Sequence, residues 1–290
     1  MNIEKPIQIL VRRRAALGDV IMTTGVIREL KKRYRCDIDI ATEFPNVFDN
    51  NSNVRAIYHT SAMPDSSSYD LYINLDDSYE NNPRNHYLDS YFYRAFGTSD
   101  VDNKNPEIFV NEFDIDTITA FFQDNELDNY IVVHIRQWYW ELKNMSWDTW
   151  YSVFEKLFTE RTDFKIVCVG TSQDGFVEHP LFVDARDKLS VQQQKLLMDN
   201  AKCFVGIDSG PYHIATSSEI PMVTLHTHLR PERIYPKNKT SIAILSDVDC
   251  LGCNDVQPRP IRQVICKHGD FRCKDNFDAD KIARSILEFL

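Results

Sequence analysis

Short apolar runs alternate with longer stretches of helical spacing along the whole chain. Residues 7–11 (Ile-Gln-Ile-Leu-Val) read as a buried strand. Residues 20–34 carry apolar side chains at helical spacing and run out into Lys31, Lys32, Arg33 and Arg35, cations that suit a helix C-terminus. A strand follows at 36–41. Strand, Gly18 turn, helix and strand make a βαβ unit, the opening of a parallel sheet. Further strands are expected at 53–57 and 69–75. A Tyr- and Phe-rich helix at 85–96 is closed by Gly97, its aromatic spacing reading as core and cleft lining, and another helix lies at 114–125.

The alternation restarts at residue 130. Strands are expected at 130–135, 164–170, 204–207 and 221–225, and helices at 147–160, 192–200 and 212–218. A terminal amphipathic helix at 278–290 is expected to pack across both halves. This pattern predicts two Rossmann-like, doubly wound α/β domains facing each other across a cleft. The boundary falls in the polar, acidic stretch 101–129, giving an N-terminal domain 1–125 and a C-terminal domain 126–290.

Composition narrows the function classes. The 290 residues are 43% hydrophobic and 26% charged, so a folded chain is expected rather than a disordered one. A formal charge of −10 argues against a broad sequence-independent grip on nucleic acid, leaving only a local basic groove. No apolar run has the length of a transmembrane segment, and 1–6 lacks the apolar core of a signal peptide, so a cytoplasmic location is expected. Seven cysteines in that compartment favour thiols or a metal site over disulfides.

Two turns carry candidate chemistry. After the run at 204–207 come Asp208, Ser209, Gly210 and Pro211, then Tyr212 and His213. A Ser or Asp cap, a Gly and a first-turn Pro form a tight strand-to-helix turn whose backbone N–H groups suit a phosphate, though many such turns hold nothing. Asp208 reads as a cap or a partner for a sugar hydroxyl, and His213 as a phosphate contact or a bond within the turn. After the first strand, Asp19 reads either as a helix cap or as a general base at the mouth of the cleft. The triplet Arg12 to Arg14 is a solvated strand end or an aid to an anionic acceptor.

Three stretches together resemble the ADP-heptose:lipopolysaccharide heptosyltransferases, glycosyltransferase family nine, whose fold is the two-domain GT-B architecture. Leu17-Gly-Asp-Val-Ile21 is similar to the family's Gly-Asp segment, and Lys143-Asn-Met-Ser-Trp-Asp-Thr-Trp150 to its lysine-containing segment. Gly206-Ile-Asp-Ser-Gly-Pro-Tyr-His-Ile-Ala215 resembles its Asp-Thr-Gly-Pro-x-His signature, and 69–75 its Tyr-Asp-hydrophobic strand. Past Leu225 the chain departs from the family's Gly-containing loop and reads His226-Thr-His-Leu-Arg230, two histidines placed as donors to anions.

The resemblance implies an inverting, metal-independent transfer of a sugar, such as a heptose, from a nucleotide-diphosphate donor to an acceptor hydroxyl of a glycan. Asp19 would be the catalytic base. Lys143, Arg136, Asp208, Ser209, Gly210 and His213 would hold the donor, fixed donors doing what a divalent cation does elsewhere. No catalytic cofactor is expected beyond the nucleotide sugar itself. The alternatives are a transferase acting on a protein or modified nucleobase, and a non-catalytic nucleotide-sugar binding module. Trp138 and Trp140 lie in a loop after a strand and are candidate stacking platforms, whereas Trp147 and Trp150 read as packing. Separately, Cys250, Cys253, Cys266 and Cys273 within 250–273 offer four thiolates for a structural zinc or iron, or four reduced thiols, with no catalytic part.

Overall fold

Two parallel sheets form the frame, and the computed structural model describes residues 5–82, 84–236, 240–255 and 266–290. The first sheet contains β1 (Ile7–Arg12), β2 (Cys36–Ala41), β3 (Ala56–Tyr58) and β4 (Leu71–Asn74), in the order β3-β2-β1-β4. Ile9 lies opposite Ile38 on one side and Leu71 on the other, so β1 is the buried central strand. The crossover from β1 to β2 is α1 (Leu17–Arg33), in which Val20, Ile21, Val26, Ile27 and Leu30 are fully buried. Each such side chain removed from water contributes about 1.5–3 kcal/mol. The helix ends on Lys31, Lys32 and Arg33, as the charge pattern predicts. The second helix, α2 (Tyr87–Phe96), stops where Gly97 adopts φ 73°, a conformation that costs glycine little.

After α3 (Glu112–Asp124) comes the second series: β5 (Tyr130–Val133), α4 (Trp147–Glu160), β6 (Lys165–Cys168), β7 (Phe182–Asp184), α5 (Val191–Asp199), β8 (Phe204–Ile207), α6 (Gly210–Ala215), β9 (Met222–His226), α7 (Pro231–Ile234), β10 (Ser241–Leu245) and α8 (Ala279–Leu287). The second sheet runs β10-β9-β8-β5-β6-β7, parallel throughout. Both sheets are therefore parallel α/β units, as expected. In each, the first strand has neighbours on both sides, which opens a crevice beyond the strand C-termini beside β1 and beside β5.

Three expectations change. Helix 212–218 is shorter, ending at Ala215, because Thr216 Oγ1 and Ser217 Oγ turn back onto the carbonyls of His213 and Ile214 at 2.7 and 2.6 Å. The strand at 130–135 stops at Val133, which leaves His134 beyond its end. The terminal helix packs on α4, β9 and β10 within the second series, its Ile282 and Ile286 buried there, instead of lying across both halves. Strands β7 and β10 and helix α7 were not legible in the pattern. Among the described residues no helix is long and apolar enough to cross a membrane. Part of the expected Cys-rich segment, 256–265, lies outside the described residues.

Candidate active site

The turn after β1 places Asp19 in the first turn of α1. Its Oδ2 accepts the Ala16 N–H at 2.8 Å, the reach-back of a helix cap. Its Oδ1 lies 2.9 Å from Arg13 Nη2 and accepts the Tyr91 hydroxyl at 3.3 Å. Arg13 is no solvated strand end: its side chain is 3% exposed, donates to Leu75 O and also pairs with Glu80 at 3.3 Å. Burial works against the Arg13 charge, but Asp19, Tyr91, Tyr79 and Glu80 outweigh it and raise its pKa. Burial in turn pushes the Glu80 carboxyl up, and its Oε2 is buried without a partner. The other two arginines of the triplet pair outward, Arg12 with Asp76 and Arg14 with Glu43.

The turn after β8 places Asp208 and Ser209 beside the second crevice. Asp208 is buried and bonds two groups: Lys143 Nζ at 2.5 Å and His213 Nε2 at 3.1 Å. Burial alone would raise this carboxyl, yet Lys143 and His213 more than reverse that and hold it well below the usual carboxylate range. Ser209 caps α6, its Oγ accepting the Tyr212 N–H at 3.4 Å. Lys143 arrives on a single 3₁₀ turn, Glu141–Lys143, in the loop after β5. That loop is held to the far side of the site by Thr227, whose hydroxyl donates to Leu142 O. Arg136 lies in the same loop with Nε buried and without a hydrogen-bond partner. Burial lowers its pKa, opposed by the nearby charges of Asp208 and Asp174. The helix α6 is only six residues long, so these cations, more than a helix dipole, make the corner attractive to an anion.

The two corners touch. Helices α1 and α6 pack together, and a Cβ at Gly18 would collide with the His213 ring at Cδ2 and stand 3.1 Å from its Cγ. Reciprocally, a Cβ at Gly210 would stand 2.8 Å from Leu17 Cδ2. The fold thus brings together Asp19, Lys143, Arg136, Asp208, Ser209, Gly210 and His213 from sequence positions nearly 200 residues apart.

Other expected residues fall differently. His226 bonds Thr224 Oγ1 at 2.9 Å, and burial lowers its pKa to about 4; burial likewise lowers His228 to about 3. Both are neutral and inward-facing, so neither offers an anion a positive charge. Trp138 and Trp140 sit beside cations, with Arg136 6.0 Å from the Trp138 ring centre and Lys143 5.7 Å from that of Trp140. Trp150 is core, and Trp147 stacks on Tyr151. Asp39, on β2, is structural: it is buried and accepts from Arg55 and the Tyr69 hydroxyl. Three further groups were not anticipated: Arg13 and Tyr91 on Asp19, and His134, which bridges Ser209 Oγ at 2.9 Å and Asp174 at 3.2 Å.

The four cysteines of the C-terminal segment lie near one another. Burial first, then the neighbouring Cys253, Cys250 and Cys266, push the Cys273 thiol up to about 12. At Cys266, burial is outweighed by backbone N–H groups of Phe271, His268, Gly269 and Asp270, which lower its pKa. Such a nest, together with mutually repelling thiolates, suits a cation. Among the described residues, however, the one group of metal-capable side chains whose ligand atoms all lie within 4.8 Å of one another is Asp249, Cys250 and His268.

Comparison with known proteins places the fold. No curated protein matches the chain in sequence. The structure is similar to a glycosyl transferase family 9 protein from Veillonella parvula (TM-score 0.73, 16% identity, 99% of each chain covered). It is also similar to Escherichia coli ADP-heptose lps heptosyltransferase II (TM-score 0.69, 14% identity, covering 97% of this chain and 99% of that one). The iron-containing dodecameric glycosyltransferase TibC of enterotoxigenic E. coli aligns with all of this chain and 77% of its own (TM-score 0.69, 13% identity). At these identities the likeness shows the fold, two-domain GT-B. The family model "Glycosyltransferase family 9 (heptosyltransferase)" matches residues 74–259, from the last strand of the first sheet through the Lys143 and Asp208 segments, and on that match the chain belongs to glycosyltransferase family 9.

Proposed function

We propose that this glycosyltransferase is inverting, needs no catalytic metal, and moves a heptose from a nucleotide-diphosphate donor to a glycan hydroxyl. The observation that carries the reading is the meeting of Asp19 with the Lys143–Asp208–His213 cluster across the packed turns of α1 and α6. Asp19 takes the acceptor proton as that oxygen forms its bond to the anomeric carbon. The bond from that carbon to the diphosphate breaks, and its electron pair leaves with the phosphate oxygen. Lys143 and Arg136 balance the charge of the leaving group, Ser209 and Gly210 line it, and Asp208 orients Lys143 and His213 toward it. One displacement with one base inverts the anomeric centre.

The donor is read as ADP-heptose. Its support is family membership and the TibC structure in complex with ADP-D-beta-D-heptose, a likeness of TM-score 0.70 at 14% identity. We take residues 1–125 as the acceptor side and 126–290 as the donor side, since β1–β4 and β5–β10 form separate sheets. A nucleotide-sugar donor also favours a cytoplasmic site of action. The crowding of Cys250, Cys253, Cys266 and Cys273, with the iron of TibC, supports a structural zinc or iron held by those four thiolates, away from the reaction. That ion would cross-link the segment and perform no chemistry.

The test is release of ADP from ADP-heptose by the purified chain in EDTA with a panel of glycan acceptors, the anomeric configuration of the new glycosidic bond being read by NMR. Asp19→Asn should abolish release while keeping the thermal shift that ADP-heptose produces, and Lys143→Ala should lose the shift. A requirement for added divalent ion, or a retained anomeric configuration, would sink the mechanism. Elemental analysis of chain purified without chelator tests the cysteines: no bound zinc or iron sinks that part alone.

A further inference from the structure

His134, Asp174 and Ser209 form a buried hydrogen-bonded row beside the proposed diphosphate position. His134 is 2% exposed, just past the end of β5. Its Nε2 lies 3.2 Å from Asp174 Oδ2 and its Nδ1 2.9 Å from Ser209 Oγ. The row is built in. Gly170, at φ 121°, gives it room, since a Cβ there would stand 2.6 Å from Asp174 Oδ2 and 2.9 Å from His134 Nε2.

Asp174 also accepts the N–H and hydroxyl of Thr171 and the N–H of Gln137. Burial alone would raise this carboxyl, but His134 and those donors hold it down at about 2, so it is ionised and can only accept. The His134 Nε2 therefore carries a proton. In the neutral ring Nδ1 is then bare, and the Ser209 hydroxyl must spend its own proton on it. Ser209 Oγ already accepts from Tyr212 N–H, so in that state it has nothing to donate to a phosphate. A proton on Nδ1 reverses the bond: His134 donates to Ser209 Oγ, and the hydroxyl proton is released toward the ligand.

We propose that His134 is a positioning residue that takes up one proton from solvent as the donor binds, turning the Ser209 hydroxyl from its ring onto the diphosphate. The inference rests on the donor reading above. The charged and titratable groups around the ring are Asp174 and Arg186 on the β6 side, Asp208 and His213 on the β8–α6 side, and Arg136 and Lys143 in its own loop. Of these, His213 is the other imidazole, so it serves as the control for His134.

The experiment is calorimetric titration of the full chain with ADP-heptose, whose diphosphate is fully ionised, in two buffers of different ionisation enthalpy at one pH. Uptake of about one proton per donor bound is expected, with Kd rising by up to about tenfold per pH unit on the alkaline side. The uptake should vanish in His134→Asn and persist in His213→Asn. In wild type carrying ¹⁵N-labelled histidine, the His134 Nδ1 resonance should move from a bare to a protonated position on adding donor, which requires no variant to fold. Equal heats in both buffers, or an unmoved Nδ1, overturn this inference and leave the donor site standing. No heat in either buffer overturns the donor reading and this inference with it.

Discussion

Asp19 and Asp208 stand at the ends of two central strands, one per sheet, and each is paired with a cation, yet the pairs are turned opposite ways. In the first, the cation is inside: the Arg13 side chain is 3% exposed and Asp19 14%. In the second, the carboxylate is inside: Asp208 is 7% exposed and Lys143 18%. The first corner therefore shows the cleft a negative edge and the second a positive one. Inverting the order of burial lets one kind of ion pair serve as a seat for a proton acceptor or as a grip for an anion. It also fixes which partner the packing depends on, the buried one in each case.

Substitutions separate the two designs. Asp19→Asn should cut kcat by about 10²–10⁴-fold with a much smaller change in the urea midpoint, because Asn can still accept the Ala16 N–H and Glu80 still pairs with Arg13. A loss of folding comparable to the loss of rate would undo the contrast. Arg13→Met, at the buried partner, should cost about 3–5 kcal/mol in urea unfolding, since it strands Asp19 and Glu80 together. Lys143→Ala should lower kcat/KM for the donor by about 10²-fold and leave acceptor KM near its wild-type value. Gly18→Ala should destabilise by about 1–3 kcal/mol, read by thermal unfolding, as the new methyl meets His213.

The smallest effect is on the acid side. Asp174 has a depressed pKa in the folded state, so its contribution is present above the ordinary value of 3.8 and is lost as pH falls toward about 2. Urea midpoints at pH 5, 3 and 2 should decline across that window, and Asp174→Asn should flatten the decline.

The frame was legible because period and punctuation agreed. The βαβ opening, the Gly97 stop and the tight turn after β8 each had both an apolar pattern and a residue that ends it. Strand β7 is three residues long, and β10 pairs with β9 alone in the sheet, so neither leaves a strong signal. At the site, motif residues could be found by spacing, but their partners could not. His134 and Asp174 are forty positions apart and meet through the pairing of β5 with β6. Arg13 looked solvated because it stands in a run of three arginines; only the fold, which carries it just past the end of β1 onto Leu75 O, Asp19 and Glu80, buries it. His226 and His228 alternate with Leu225, Thr227 and Leu229, and both rings are buried, His226 on the Thr224 hydroxyl and His228 on that of Thr227.

Gly18 seats His213, and Gly210 seats Leu17, so each turn contains the socket for a side chain of the other. The two motifs are therefore one unit of inheritance. A larger residue in either socket can persist only beside a smaller one opposite, and a double-mutant cycle across Gly18 and His213 should show an interaction of about 0.5–3 kcal/mol. Swapping one half of this protein for that of a relative would carry a key without its lock, however well each sheet folded by itself.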